Sequence, residues 1–271
     1  MNCEFSTWPT LLLALFLIAS GGAAESATFD HSAFDALLRK HVVDGMANYD
    51  AFKASPEFPK YLDALAKADP AALDDQERLA YWINIYNAYT IALINAHQER
   101  VSIRNINKTF GIAAKGPWRE LLVKAGGQVY HLDNVEHGII RKEWKEPRIH
   151  FALVCAAMSC PPLRSEAYTG AKLDGQLTDQ ARRFLGTPAK NRIDLRTATV
   201  YGSPIFVSYY REDFGSSDKA IGHYLAQFYP DGPEKQLLLS GKYKLIATDY
   251  DWTLNSQEQM AKKLAAPAVK P

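Results

Sequence analysis

The stretch LDDQERLAYWINIYNAYTIALINAHQ, residues 73–98, decides the fold. Leu79, Trp82, Ile83, Tyr86, Thr90 and Leu93 recur at helical spacing and predict one long helix with an apolar face. Asp74 and Asp75 suit its N-terminus, where backbone N–H groups lack partners and the helix dipole favours negative charge. Asn84 and Asn87 sit three apart beside the apolar stripe. Asparagine competes with the helical backbone for hydrogen bonds, so two of them inside a helix need a reason. One reason is an amide that orients a histidine or holds a substrate backbone. The other is a pair of buried amides bonded to neighbouring loops.

Outward from this helix the pattern is mixed. DHSAFDALLRKHV and FPKYLDALAKA read as two earlier helices, the first with Asp30 as cap and the second broken at Asp69-Pro70. Gly126-Gly127 predicts a hairpin turn, and Asp133 is placed to cap a helix carrying Val135, Ile139 and Ile140. RIHFALVC reads as a buried strand ending at a Cys-Pro-Pro exit. LDGQLTDQARRFLG and SSDKAIGHYLAQFY are helical, RIDLRTATVYGSPIFVSYY holds two strands, and KYKLIATDYDW is a last strand. Helices dominate the first half and mixed elements the second, which gives an α+β class.

The apolar run Leu11–Ala19 has the length of a signal-peptide core and is too short to span a bilayer. Gly22-Ala23-Ala24 supplies small residues for cleavage, although no Lys or Arg precedes the run. The expected organisation is a signal peptide over 1–24, a single α+β domain over 25–259, and a disordered tail over 260–271, with a periplasmic or secreted mature protein. No later segment is apolar enough to span a membrane. The chain holds 31 basic and 30 acidic residues, and removing Glu4 with the leader leaves 31 against 29, or +2. That balance gives no electrostatic case for nucleic acid or an anionic membrane. No nucleotide-binding loop, dinucleotide fingerprint or serine nucleophile elbow is present, and no cofactor is expected.

Candidate chemistry gathers in IHFALVCAAMSCPPL, residues 149–163, which holds His150, Cys155 and Cys160. A thiol becomes nucleophilic when a histidine stabilises the thiolate and a carboxylate or amide orients that histidine. The parts available are Cys155 and Cys160, His150 and His137, Glu136, Asn84 and Asn87. In an extended strand His150 and Cys155 would be about 16 Å apart and on opposite faces, so they pair only if the strand ends early. His137 on the preceding helix could meet either cysteine. Two cysteines left in an oxidising compartment also invite a disulfide, which would mask both thiols. A third arrangement, His131, Asp133, Glu136 and His137 with His150 and Cys155, contains zinc-ligand types but lacks the i, i+4 histidine spacing. Glu136 and His137, about 100° apart on an α-helix, are not expected to face one pocket squarely. His137 and Arg141, four apart, are well placed for a local contact. Tyr81, Trp82, Tyr86, Tyr89, Tyr209, Tyr210, Tyr250 and Trp252 would either line a groove for peptide or glycan or fill the core.

AYWINIYNAYTI, YHLDNVEHGIIR, RIHFALVCAAMSCPPL, FVSYYREDF and DYDWTLN, in this order across Phe34 to Asn255, resemble the family catalogued as domain of unknown function 547. The resemblance implies a papain/transglutaminase-like core, with an antiparallel sheet packed on a long central helix and a helical N-terminal part. It also implies an exported thiol hydrolase or amide-transfer enzyme acting on peptide-like substrates, with a peptide or cell-wall fragment as partner. The nucleophile would be Cys160 or Cys155, the base His150 or His137, and the orienting group Glu136 or Asn84. In transglutaminase-like folds the nucleophile sits on the central helix, where this chain has asparagines and no cysteine. The alternatives are a non-catalytic peptide- or glycan-binding module on the same fold and a metal-dependent hydrolase.

Overall fold

Asp74 starts the central helix by accepting a 2.8 Å hydrogen bond from the Glu77 amide, and the helix runs Asp75–Ala96. The coordinates are a computed structural model that describes residues 27–109, 112–113 and 116–266. The expected single apolar stripe is too narrow a picture. Nearly every side chain from Leu79 to Ile91 is buried, on all faces. A helix apolar all round belongs in the middle of a core. Asn84 and Asn87 fit this burial because each spends both ends of its amide on one loop. Asn84 donates to the Tyr168 carbonyl at 2.7 Å and accepts from the Tyr168 amide at 3.0 Å. Asn87 donates to the Ala152 carbonyl at 3.0 Å and accepts from the Val154 amide at 2.9 Å. The helix thereby holds two irregular segments as a neighbouring strand would.

Helices Ser32–His41, Tyr49–Ala54 and Glu57–Lys67 pack around one side. Phe34 stacks on Tyr61 at 4.8 Å, and the Tyr81 hydroxyl donates to the Leu65 carbonyl at 2.8 Å. A second apolar cluster forms from Phe151, Phe184, Val200, Phe206, Phe214 and Phe228 with their neighbours. The turn Pro147–Phe151 is the seam: Ile149 packs into the first cluster and Phe151 into the second. Helix Leu173–Leu185, stopped at Gly186, and helix Asp218–Ala226, capped by Ser217, close the second half.

The α+β class holds, with corrections in detail. The described strands form three two-stranded hairpins and one three-stranded sheet. The Val123–Ala125/Gln128–Tyr130 hairpin turns through Gly126 and Gly127 at φ 56° and 72°, as their sequence predicts. In the largest sheet Thr199–Gly202 pairs antiparallel with Arg192–Asp194 and parallel with Lys244–Ala247. Its buried Val200 belongs to the second cluster, so this sheet is neither wholly antiparallel nor packed in the core of the central helix. RIHFALVC is not a strand. Pro147, at the first helical position where its fixed φ fits, and the Glu146 carboxylate accepting from the Arg148 amide start a 3-10 turn. A short apolar run fits a buried turn as well as a strand. Asp133 makes no capping bond; His131 Nδ1 accepts from the Asn134 amide at 3.0 Å instead. Helix Gln257–Ala265, capped by Ser256, replaces the first part of the expected irregular tail. The leader over 1–24 and the last residues, 267–271, lie outside the described residues.

Candidate active site

Two π-helices, Asn134–Ile140 and Ile205–Tyr209, face a cavity of about 160 Å³ at the junction of the two clusters. Short π segments recur at functional sites because they reposition side chains that an α-helix would aim elsewhere. Here the wider turn reduces the angle between successive residues, and Glu136 and His137 both line the cavity. The α-helical geometry that would have separated them does not apply. The predicted contact between His137 and Arg141 is present at 3.2 Å.

His150 lines the same cavity and is 3% exposed. Its Nε2 lies 2.6 Å from Asp213 Oδ2, its ring stacks on Tyr210 at 4.0 Å, and its buried Nδ1 has no hydrogen-bond partner among the described residues. Asp213 also accepts two bonds from Arg141, at 2.7 and 3.0 Å. The bond from His150, and then those from Arg141, hold the Asp213 carboxyl well below the usual carboxylate range despite partial burial. With Asp213 ionised, the proton of a neutral His150 belongs on Nε2, which leaves Nδ1 as the basic nitrogen.

Cys155 and Cys160 are joined in a disulfide. Ala156, at φ 64°, turns the chain between them. The loop is fastened to the C-terminal segment by Met158 and Ser159 amides donating to the Thr253 and Asp251 carbonyls. Cys155 lines the cavity, whereas Cys160 is 1% exposed. The Tyr250 hydroxyl lies 3.2 Å from the first sulfur and 3.3 Å from the second. Behind the loop, Lys190 donates to the Cys160 carbonyl, and burial pushes its ammonium down to about 8.

Glu136 is 5% exposed. Burial first, and then the nearby Glu136 carboxyl, raise the Tyr86 and Tyr210 phenols far above their ordinary range. Tyr86, Tyr209, Tyr210, Tyr250 and Trp252 line the cavity, while Tyr81, Trp82 and Tyr89 are core. Asn84 is not at the cavity and both ends of its amide are occupied by Tyr168, so it orients no histidine there. The orienting carboxylate on His150 is Asp213, which sequence reasoning missed. Its only signal is the acidic pair in YYREDF. No cluster of three His, Cys, Asp or Glu side chains able to hold a metal ion forms among the described residues. Nor is any helix among them long and apolar enough to cross a membrane.

Residues 70–185 match the family described as "Protein of unknown function, DUF547". No curated protein and no solved structure matches the chain. The matched segment carries Tyr86, Glu136, His137, His150 and both bonded cysteines. Asp213, Tyr210, Tyr250 and Trp252 lie beyond it, so one wall of the cavity comes from outside the matched residues.

Proposed function

We propose that this chain is an exported thiol hydrolase or amide-transfer enzyme for peptide-like substrates, with Cys155 as nucleophile once the disulfide is opened. The observation that supports this is a base already oriented: His150, held by Asp213 at 2.6 Å, lines the same cavity as Cys155. A cysteine, a histidine and a carboxylate or amide behind the histidine are the working parts of papain-like sites. The helix-borne nucleophile of the transglutaminase-like plan is absent, and the cysteine comes from a loop facing the helix.

Two electrons and two protons from a dithiol reductant convert the disulfide to two thiols. His150 Nδ1 takes the Cys155 proton as sulfur attacks the substrate carbonyl carbon. The leaving amine receives that proton, and water or an acceptor amine then takes the acyl group from sulfur. Tyr250 offers a hydroxyl to the thiolate.

The disulfide itself favours a second reading, a binding module on the same fold, because it occupies both sulfurs. The two separate when peptide ester and amide turnover is measured before and after dithiol reduction. Turnover that appears on reduction and vanishes in Cys155→Ser supports the enzyme. A reduced, folded protein without turnover, whose Cys155 alkylates no faster than a free thiol, leaves the binding module.

A further inference from the structure

We infer that the cavity recognises a protonated primary amine that has a hydrogen-bond acceptor close to it, the chemistry of a free aminoacyl end. This names the substrate class of the site proposed above but does not depend on Cys155 being reactive.

The first observation is electrostatic. A buried carboxylate is costly unless a cation or several donors answer it. Glu136 is 5% exposed, and among the described residues it forms no ion pair; the phenols of Tyr86 and Tyr210 are its neighbours. No described Lys or Arg lines the cavity. Arg141 lies over the Tyr210 ring at 5.2 Å, but its guanidinium is spent on Asp213 and Glu212. A second carboxylate, Asp133, stands on the wall and is answered by Arg119, whose side chain is 66% exposed. The wall therefore carries more negative than positive charge unless a histidine is protonated.

The second observation is the wall material. Tyr210, Tyr250, Trp118 and Trp252 line the same cavity as Glu136, with ring contacts of 4.5 Å between Tyr250 and Trp252 and 6.0 Å between Trp118 and Trp252. Aromatic faces attract cations through their quadrupole, and rings around a carboxylate make a selective ammonium site. The carboxylate, as an acceptor, favours a cation with N–H groups over a quaternary one.

The third observation is an unanswered donor. Trp118 lines the cavity, and its buried Nε1 has no partner among the described residues. An indole N–H only donates, so it calls for an acceptor. A carbonyl next to the ammonium supplies one. The volume, about 160 Å³, suits a group the size of one residue rather than a long chain.

The test uses the oxidised protein, in which both sulfurs are bonded, and follows tryptophan fluorescence and heat on titration with alanine amide, N-acetylalanine amide and tetramethylammonium. Alanine amide should bind, the acetylated compound should bind at least about tenfold more weakly, and tetramethylammonium should rank between them. Glu136→Gln should lose about tenfold or more for alanine amide while melting cooperatively. Trp118→Phe keeps the ring and should lose several-fold. Equal binding of the acetylated and free amides, no binding of alanine amide, or binding unchanged in a folded Glu136→Gln protein would overturn the proposal. If Glu136→Gln fails to fold, the acetylation contrast and Trp118→Phe decide alone. Ammonium binding without turnover after reduction would sink the thiol reading and leave this one standing.

Discussion

Asp213 lies 63 positions from His150, yet its Oδ2 sits 2.6 Å from His150 Nε2. One turn of chain on each side makes this contact: the 3-10 turn Pro147–Phe151 and the short helix Arg211–Phe214. The ring cannot swing away, because Tyr210 covers one face at 4.0 Å and Phe214 stands 5.6 Å away. Arg141 fixes the carboxylate from the other side.

Replacing Asp213 with Asn should therefore cost activity more than fold. Loss of the carboxylate removes the preference for a proton on Nε2, and turnover of the reduced protein should fall about 100-fold or more, the scale of one general base. Asp213→Ala should also destabilise by about 1–3 kcal/mol, since Arg141 is left half-paired. Turnover per folded molecule and thermal melting check both. A turnover loss that only tracks the unfolded fraction would make Asp213 a structural partner of Arg141.

The helix asparagines should behave in the opposite way. Asn84→Ala strands the Tyr168 amide and carbonyl, and a loss of about 2–4 kcal/mol is expected from two buried groups. Binding by the protein that remains folded should not change, because Tyr168 and Asn84 are away from the cavity. Urea unfolding with parallel titration of alanine amide tests this.

The helix was legible from residues 73–98 because its apolar period, acidic start and length agree. Its all-round burial was not, since that depends on what the remaining chain brings to the polar-looking side. The hairpin at Gly126-Gly127 was legible for a local reason, its turn chemistry. The turn at His150 was not, because an apolar run of five or six residues satisfies a strand and a buried turn equally. His150, Glu136, His137 and Cys155 were named from side-chain chemistry and do line one cavity. Asp213 was missed because no local pattern links two short segments that meet only in the folded chain. Asn84 was assigned to the site because an amide inside a helix invites a functional reading, whereas Tyr168 is its actual partner.

His31 gives a pH prediction. Its ring is 3% exposed, bonded to the Tyr61 hydroxyl at 2.7 Å, and burial pushes it down to about 4 from an ordinary value near 6.5. Glu77 approaches at 4.0 Å but already accepts from the Phe29 and Gly170 amides. The unfolded chain thus binds the proton more readily, so His31 contributes stability that is complete above pH 6.5 and is lost as pH falls towards 4. The full effect is up to about 3 kcal/mol. Unfolding free energies at several pH values should show a slope in this window that His31→Gln flattens. A parallel slope in both proteins would assign it elsewhere.

Reduction should affect the two sulfurs unequally. Cys155 lines the cavity and Cys160 is 1% exposed, so iodoacetamide should label Cys155 first after dithiol treatment. Opening so short a loop should cost about 2 kcal/mol, little enough for the fold to survive. Peptide mapping and calorimetry measure both. Simultaneous labelling only at the unfolding temperature would mean that Cys155 is not reachable from the cavity.

The loop around Met158 is sewn to residues 251–254 near the C-terminal end of the described chain, and Tyr250 and Trp252 close the cavity from there. A chain made from its N-terminus assembles the central helix and His150 long before these two rings exist. The pocket is consequently closed late, after most of the elements around it. A product cut off before residue 250 would lose helix Gln257–Ala265 and these two rings, and one side of the pocket would stand open to water.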